Sequence, residues 1–358
     1  MNKKTINTIL IAIFLILLVF SGFIVFKNNK VGYENFHTLQ NIKNKTVIEN
    51  KPIKITIWWD VMLSRVVGYF NKKEWYDRIT KKYNPITQTW GIIFLNLESP
   101  FSKKDKDWFH SSYLFWANVK NIQTLKDLKW SNEMIVSLAN NHIKNSGLEW
   151  IDTSMKVLNK SKIYYSWIWY KKEKDVEFTK IIKWQNKICF QAFSYDWWNY
   201  WKYKIYKVEK KEIKKFLDEM KKERCDLSII SLHWWREYKF EPNKEQVKLA
   251  HYIIDNWADM IIWHHSHIFW KTETYKDKPI FYSLWNYIFD QDDLVNNCNK
   301  YISCIYDKKL KKKIRPVNIG VSYELIFDKY LDVPWGYKLT SKIQKKHRIE
   351  HYWELLKY

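Results

Sequence analysis

Short apolar runs rich in β-branched residues alternate with amphipathic, lysine-rich stretches from Lys51 onward. Such runs predict buried strands, and apolar residues three and four positions apart predict helices. The predicted strands are residues 53–57, 92–95, 134–138, 188–193, 227–232, 260–262 and 280–283. The predicted helices are residues 119–128, 150–159, 210–223 and 244–256. Strands that alternate with helices are typical of βαβ units, so an α/β fold is predicted.

Polar residues that can bind metals follow most of the predicted strands. In chain order they are Asp60, Asn96, Glu98, Asn140, Asn141, His142, His233, His264, His265, His267 and Asn286. In open α/β sheets, ligands bind outside the carboxyl ends of the strands. A single Asp or Asn at a strand end is more often a turn former or a helix cap. Six strand ends that all deliver such side chains to one edge predict a metal site instead.

The first segment of the chain has the pattern of a membrane anchor. Residues 6–26 are almost wholly apolar, and about 20 such residues are enough to cross a bilayer as a helix. Lys3 and Lys4 precede the run, which keeps the N-terminus cytoplasmic. No small-x-small cleavage site follows, which favours a retained anchor. We therefore predict a cytoplasmic N-terminus and transmembrane anchor over residues 1–27, and a polar linker over residues 28–50. The protein is expected to be single-pass, with its main domain extracytoplasmic.

The chain is strongly basic, with 61 Lys and Arg against 38 Asp and Glu and a formal net charge of +23. A charge of this size can indicate a polyanionic partner or an anionic surface. The basic residues are scattered, however, and Lys, Asn and Ile are abundant together, as in proteins from genomes rich in A and T. The charge alone therefore does not predict nucleic-acid binding.

The four cysteines predict no metal site of their own. Cys189, Cys225, Cys298 and Cys304 show no C-x-x-C spacing, which argues against a zinc ribbon and a thioredoxin-like motif. A Cys298–Cys304 disulfide and free buried thiols both remain open, because the pairing depends on the compartment.

Tryptophan and glycine occur in unusual proportions, 22 and 7 residues respectively. Glycine usually makes up about 7% of a protein, so about 25 would be expected. Trp59, Trp257, Trp263 and Trp285 lie where a turn or a close approach of the backbone favours glycine. We hypothesise that many tryptophans stand for glycine, as when UGA codons read as glycine are translated as tryptophan. The alternative is a genuinely tryptophan-rich protein, and Trp234 is expected to be a true tryptophan.

Six sequence blocks in order resemble the CapA capsule-synthesis family of the calcineurin-like metallophosphatase superfamily. They are WDVMLSR (59–65), NLESP (96–100), SLANNHIKNSG (137–147), SLHWWREY (231–238), WHHSH (263–267) and FYSLWNYIFD (281–290). Trp150, Trp167, Trp169, Trp184 and Trp257 also fall where this family tends to have glycine. Ser266 departs from the family, which usually has proline there. The resemblance implies a calcineurin-like metallophosphoesterase α/β sandwich over residues 51–305. Residues 306–358 form a C-terminal extension of unknown role, and its basic end, residues 342–358, is expected to be a helical tail.

The resemblance also implies a ligand set for two divalent metal ions, with Mn, Fe and Zn suited to mixed carboxylate, amide and imidazole ligands. Asp60 and His267 would complete one site, and Glu98 would bridge both metals. Asn141, His233 and His265 would hold the second metal. His265 is preferred to His264 because residues at alternate positions of an extended segment point the same way.

Further roles follow from the same resemblance. His142 would protonate the leaving group, since a histidine titrates close to neutral pH. Arg65 would contact an anionic group of the substrate, with a structural salt bridge as the alternative. Asn96, Glu237, Tyr238 and Asn286 would orient ligands or contact the substrate, with plain hydrogen bonding as the alternative.

Three functions remain open from the sequence. The first is a metal-dependent hydrolase in the synthesis or export of poly-γ-glutamate or a similar anionic capsule polymer. The second is a non-catalytic, polymer-handling component of a capsule export machine. A weaker third is an extracellular phosphodiesterase or nuclease. The expected partners are the membrane, the polymer and other capsule-synthesis membrane proteins, and nucleic acid is not expected.

Overall fold

The computed structural model describes fourteen stretches of the chain. They are residues 51–64, 67–68, 91–103, 115–145, 147–170, 177–195, 202–234, 241–267, 272–283, 286–289, 305–307, 312–314, 319–329 and 337–348. The predicted anchor and linker, residues 1–50, lie outside them, as do Arg65, Glu237 and Tyr238. Within the described stretches, no helix is both long and apolar enough to cross a membrane.

The chain forms strands and helices in alternation. The described strands are β1 (Ile53–Val61), β2 (Ile92–Leu97), β3 (Phe101–Ser102), β4 (Ala117–Asn118), β5 (Glu133–Ser137), β6 (Tyr164–Ser166), β7 (Ile168–Tyr170), β8 (Thr179–Lys183), β9 (Asn186–Ser194), β10 (Tyr203–Ile205), β11 (Leu227–His233), β12 (Met260–His264), β13 (Glu273–Tyr275), β14 (Lys278–Phe281), β15 (Asn286–Ile288), β16 (Ile305–Asp307), β17 (Lys312–Ile314), β18 (Ile319–Lys329) and β19 (Tyr337–Arg348). The described helices are α1 (Ile122–Lys129), α2 (Leu148–Lys160), α3 (Lys210–Lys222) and α4 (Lys244–Asp255), and a 3-10 turn, Val119–Asn121, precedes α1. All seven predicted strands and all four predicted helices are confirmed to within a few residues.

Two larger sheets carry the architecture. The first has the order β19-β18-β1-β2-β5-β6, and β15 pairs with the end of β1. In it β1, β2, β5, β6 and β15 run parallel, whereas β18 is antiparallel to β1 and β19 is antiparallel to β18. The second sheet has the order β13-β14-β12-β11-β9-β8. Its four inner strands are parallel, and β8 and β13 pair antiparallel at the edges.

The two sheets pack face to face. Successive side chains of a strand point to opposite faces, so every second apolar residue of β1 and β2 faces the other sheet. A buried cluster between the sheets includes Ile57 and Phe94 from the first and Phe190, Ile229 and Ile262 from the second. The rings of Phe94 and Phe190 stack with centroids 6.2 Å apart. The α/β fold predicted from the sequence is therefore confirmed as a two-sheet sandwich.

The helices cover the outward faces of the strands in a second buried cluster. They contribute Leu125, Leu128, Ile151, Met155, Ile213, Phe216, Met220, Leu249 and Ile253 to it. In α3 the buried residues recur at the helical spacing of three and four, whereas the lysines face solvent. A capping box starts α4, in which the backbone N–H of Gln246 donates to Asn243 Oδ1 at 2.9 Å and the Asn243 N–H donates to Gln246 Oε1 at 2.8 Å.

The expectation of a helical tail over residues 342–358 is wrong for residues 342–348. They belong to β19, which pairs along β18 from Ile319↔Arg348 to Lys329↔Tyr337. Pairing with a long neighbouring strand satisfies the backbone groups of β19, and this tertiary partner overrides the weak local preference for helix. β18 pairs with β1, so β18 and β19, which lie in the predicted C-terminal extension, belong to the first sheet. Residues 349–358 lie outside the described stretches.

A disulfide joins Cys189 of β9 to Cys225, which precedes β11, across 36 residues of sequence. Both cysteines are buried. This pairing is not predictable from local sequence, because two cysteines 36 residues apart carry no local signal. Cys298 and Cys304 lie outside the described stretches.

Several tryptophans adopt the left-handed backbone that favours glycine. Trp130, Trp167, Trp184 and Trp257 have φ values of 47°, 108°, 49° and 89°. A bulky residue with φ above zero is rare because its Cβ crowds the backbone. Trp130 and Trp257 are also 70% and 50% exposed, so burial does not compensate for the strain. These positions support the hypothesis that tryptophan stands for glycine. Trp150 differs from them, since it lies inside α2 and is buried.

Candidate metal centre

The parallel register of the first sheet places four polar residues side by side at the strand ends. Asp60 pairs with Asn286 on one side and with Asn96 on the other, and Asn96 pairs with Ser137. Glu98 follows β2, and its backbone N–H donates to Val61 O at 2.9 Å. Asp60, Asn96, Glu98 and Asn286 are all buried. The predicted gathering of polar side chains at one edge is present in the fold.

The second sheet delivers histidines to its corresponding edge. His233 ends β11 and pairs with His264, which ends β12. His265 and His267 follow with φ values of 94° and 49°. Non-glycine residues held in this region are strained, and such strain is typical of functional sites. The turn brings the His265 ring to 4.5 Å from the His233 ring and 6.1 Å from the His267 ring, measured between centroids.

The two edges meet in two overlapping groups of potential ligands. Glu98, His233 and His265 form one group, and Asp60, Glu98 and His267 form the other. Within each group, one ligand atom per residue lies within 4.8 Å of the others. Glu98 Oε1 is 3.4 Å from His233 Nε2 and 3.9 Å from His267 Nε2. Glu98 therefore occupies the position of a carboxylate shared between two sites.

Burial and charge set the protonation of these ligands. Burial alone would raise the pKa of Asp60, but the adjacent rings of His264 and His267 hold that pKa far below its usual range. Burial, together with the neighbouring His265, holds the pKa of His233 well below its usual range. Burial and the nearby His267 lower the pKa of His265 to about 3. At neutral pH the carboxylate is charged and both imidazoles are neutral, which are the forms that bind metals.

Unpaired buried atoms test whether the residues fit a metal. In the described part of the chain, Asp60 Oδ2, Asn141 Oδ1 and His265 Nδ1 are buried and have no hydrogen-bond partner. A buried polar atom without a partner costs about 1–3 kcal/mol. All three atoms belong to predicted ligands and carry lone pairs, so divalent cations would satisfy them. The donor set of carboxylates, an amide and imidazoles, without cysteine, suits Mn, Fe or Zn.

Two asparagines hold ligands in place. Asn286 Oδ1 lies 2.8 Å from His267 Nδ1, so that nitrogen carries the proton and Nε2 faces Glu98. Asn96 Nδ2 donates to Asp60 Oδ1 at 2.8 Å, and Asn140 Nδ2 donates to Asn96 Oδ1 at 3.2 Å. Such partners fix the orientation of metal ligands.

His142 lies beside the predicted ligand Asn141. Its Nδ1 is 2.8 Å from Asn145 Oδ1, and its Nε2 is 3.2 Å from Asn141 Nδ2. Phe115 stacks on the imidazole with centroids 3.9 Å apart. Because Asn145 Oδ1 can only accept a hydrogen bond, Nδ1 is the nitrogen that carries the proton, and Nε2 faces Asn141. The Asn141 amide is oriented at the same time, with Nδ2 toward His142 and Oδ1 left for a cation.

Asn145 and Phe115 are not among the site residues predicted from the sequence. The spacing of Asn145, three residues after His142 in one turn, is a signal that could have indicated it. Phe115 has no such signal, because it arrives from a different segment. His264, the alternative to His265, lies between the sheets and belongs to neither ligand group.

A model of the bacterial capsule synthesis protein family PGA_cap matches residues 54–291. The chain belongs to this family. The family predicted from the sequence is therefore confirmed. Among relatives, the chain is similar to the capsule biosynthesis protein CapA of Bacillus anthracis, with 26% identity over 252 residues, or 68% of this chain. It is also similar to the PGA biosynthesis protein CapA of Bacillus subtilis (strain 168), with 24% identity over 243 residues, or 65% of this chain.

The matched part spans only 61% and 62% of the length of these two relatives. A solved structure of a hypothetical protein from Thermus thermophilus resembles the chain with a TM-score of 0.46 and 10% identity. It covers 83% of this chain and 100% of the other. A likeness this weak carries no argument about function.

Proposed function

We propose that this PGA_cap protein is a membrane-anchored, extracytoplasmic hydrolase or transferase with a calcineurin-like dinuclear metal site. Its substrate would be poly-γ-glutamate, a similar anionic capsule polymer, or a precursor of one. The observation that carries the proposal is the sharing of Glu98 by two buried ligand groups. A lone structural site would not need a carboxylate placed between two sets of histidines.

Each ligand has a distinct task in this proposal. Asp60 and His267 would hold one divalent ion, Asn141, His233 and His265 would hold the other, and Glu98 would be shared between them. When bound, two such ions would activate a water molecule and neutralise charge that develops on the substrate. Asn96 and Asn286 keep Asp60 and His267 in the required orientation through the contacts described above. Burial of the ligands excludes bulk water and strengthens their electrostatic interactions.

His142 is the proposed acid. Its contact with Asn145 keeps a proton on Nδ1 and leaves Nε2 as the atom that transfers a proton. When both ring nitrogens are protonated, the imidazole would donate the proton on Nε2 to the departing group as the bond to that group breaks, and the proton on Nδ1 would stay. Water would then return a proton to the ring. General acid catalysis of this kind contributes typically 10²- to 10⁴-fold in rate.

The disulfide supports the proposed location. Disulfides persist in oxidising compartments and are rare in the cytoplasm. The Cys189–Cys225 bond lies inside the domain that we place outside the membrane. The predicted anchor over residues 1–27 would tether this domain to the cell surface, where a capsule polymer is exported.

Elemental analysis of the purified full-length chain tests the metal site. We expect about two equivalents of Mn, Fe or Zn per chain, as the shared carboxylate requires. Asp60→Asn and His233→Gln should each lower the content toward one equivalent. A folded protein without stoichiometric metal would refute the catalytic proposal and favour a polymer-handling component.

Activity tests distinguish the remaining functions. His142→Ala should lower turnover of poly-γ-glutamate by about 10²- to 10⁴-fold and leave the metal content unchanged, since His142 is not a proposed ligand. His251→Ala, a histidine on α4 outside the centre, is the matched control. Capsule function that survives His142→Ala would indicate a non-catalytic role. Hydrolysis of a phosphodiester that falls steeply with rising salt would indicate a nuclease instead.

A further inference from the structure

His264 is the one histidine of the WHHSH block that neither ligand group includes. It ends β12, and strand alternation directs its side chain between the sheets, opposite to that of Trp263. Its ring lies 5.5 Å from the Trp59 ring and 5.6 Å from the Phe94 ring, measured between centroids. The side chain is fully buried. Burial of a polar ring in such apolar surroundings costs free energy unless a polar neighbour compensates for the lost water.

The polar neighbour of this ring is the carboxylate of Asp60. His264 Nδ1 lies 3.3 Å from Asp60 Oδ1. The same oxygen accepts a hydrogen bond from Asn96 Nδ2 at 2.8 Å. Asp60 Oδ2, in contrast, has no hydrogen-bond partner in the described part of the chain, and it lies on the His267 side at 3.3 Å from Nδ1. The two oxygens of one carboxylate thus have different surroundings.

We propose that His264 is a positioning residue that holds Asp60 Oδ1 from the inter-sheet side, so that Oδ2 is presented to the metal of the Asp60–Glu98–His267 group. This inference rests on the proposed function, since it needs a metal at that group. Asn96 approaches Oδ1 from the neighbouring strand and His264 approaches it from the opposite sheet. Together they hold the carboxylate in one rotamer before a cation arrives.

The tautomer follows from the surroundings. Asp60 presents an acceptor to Nδ1, so the proton of a neutral ring belongs on that nitrogen. Neither ring nitrogen has a partner of hydrogen-bond geometry among the described residues, so the 3.3 Å approach of Nδ1 to Asp60 Oδ1 is an electrostatic contact. A bare lone pair on Nε2 is easier to leave among aromatic rings than an unpaired N–H donor. Partners of this kind typically change metal affinity by 10- to 100-fold when they are removed.

Metal titration of three full-length proteins tests the proposal. They are the chain that retains His264 and the variants His264→Phe and His264→Asn. His264→Phe keeps an aromatic ring between Trp59 and Phe94 but cannot donate, whereas His264→Asn keeps a donor close to the position of Nδ1. Each is measured in a His233→Gln background, which isolates the Asp60–Glu98–His267 group, and in an Asp60→Asn background, which isolates the other group. Binding of Mn²⁺ and Zn²⁺ is followed by calorimetry, and the free energy of unfolding is measured in parallel.

We expect His264→Phe to weaken binding at the Asp60–Glu98–His267 group by about 10- to 100-fold, with full occupancy recovered at higher metal concentration. Binding at the other group should change by less than about threefold, and His264→Asn should restore most of the lost affinity. Unchanged binding in His264→Phe would overturn the proposal. An equal loss of affinity in His264→Asn would also overturn it, because that result would indicate packing alone. If no metal concentration restores the lost equivalent, His264 would be a ligand and not a positioning residue. If the chain that retains His264 binds no metal, the metal centre itself would be refuted, and not only the role of His264.

Discussion

The edges of the two sheets contribute different chemistry to one centre. The first sheet presents candidate oxygen ligands, Asp60 and Glu98, and the amide of Asn141, which is a predicted ligand. The second sheet presents candidate nitrogen ligands, His233, His265 and His267. The first edge places its ligands by strand register, since Asp60 pairs with both Asn96 and Asn286. The second edge places two of them through a strained turn after β12.

This difference shows how a sandwich can build a mixed ligand set. The carboxylates bring the negative charge that attracts a divalent cation, and neutral imidazoles add donors without further charge to bury. Neither edge holds a complete group, because both groups combine Glu98 with histidine from the second sheet. Four predictions test how far the two edges depend on each other, beginning with the largest effect.

Glu98→Gln should remove both metals, because this carboxylate is the one ligand common to both groups. We expect the metal content to fall from about two equivalents to near zero, whereas His265→Gln should lose about one. Elemental analysis after dialysis measures this difference. Glu245→Gln on the exposed face of α4 is the control for the loss of a carboxylate. Equal losses in Glu98→Gln and His265→Gln would show that Glu98 is not shared.

The double variant Cys189→Ala/Cys225→Ala should weaken the second sheet more than the first. A disulfide that closes a loop of this length contributes typically about 2–5 kcal/mol to the free energy of unfolding. Hydrogen exchange should show earlier opening of β9 and β11 than of β2 and β5. Cys298→Ala/Cys304→Ala is the matched control. Equal loss of protection in both sheets would show that they unfold as one unit.

Acid should destabilise the metal-free protein through the second sheet. The pKa of His265 is lowered to about 3 in the fold from its ordinary value of 6.5. As the pH falls, His265 is therefore protonated in the unfolded chain before it is protonated in the fold. Its contribution to the free energy of unfolding is fully present above pH 6.5 and is lost as the pH drops toward 3. One such group costs about 2 kcal/mol at pH 5.

Asp60 behaves differently over this range. Its pKa is lowered in the fold, so its contribution is present above the usual pKa of 3.8 and does not change between pH 7 and pH 5. Urea unfolding of apo protein at pH 7 and pH 5 tests both statements. His265→Gln should make the pH dependence shallower, and His233, whose pKa is also lowered by burial, should retain part of it. An unchanged slope in that variant would contradict the assignment to His265.

Glycine at strained tryptophans should stabilise both halves of the sandwich to a similar extent. Trp130 precedes β5 of the first sheet, and Trp257 precedes β12 of the second. Since both have positive φ, Trp130→Gly and Trp257→Gly should each raise the free energy of unfolding by about 1 kcal/mol. Trp150→Gly, in the first turn of α2 where the side chain is buried, should lower the free energy of unfolding. Thermal unfolding measures these shifts, and a loss of stability at all three positions would argue that the tryptophans are native.

Much of the fold could be predicted from local patterns. The predicted strands and helices are present because apolar runs and helical spacing report burial directly. The antiparallel edges were harder. β18 and β19 lie beyond the residues that the family model matches, and β19 carries a lysine-rich sequence that favours a helix as readily as a strand. Its conformation depends on β18, a partner that local pattern does not reveal.

The strand-end pattern indicated which polar residues gather at one edge, because the strand ends of α/β sheets converge, and the resemblance to the CapA family implied which of them are metal ligands. Tertiary structure decided the rest. It placed Glu98 between His233 and His267, directed His264 inward toward Asp60, and paired Cys189 with Cys225. These relations join residues that are 36 or more positions apart, on opposite sheets or on neighbouring strands. They arise only when the sheets pack face to face, since side-chain direction at a strand end depends on register and on the turn that follows.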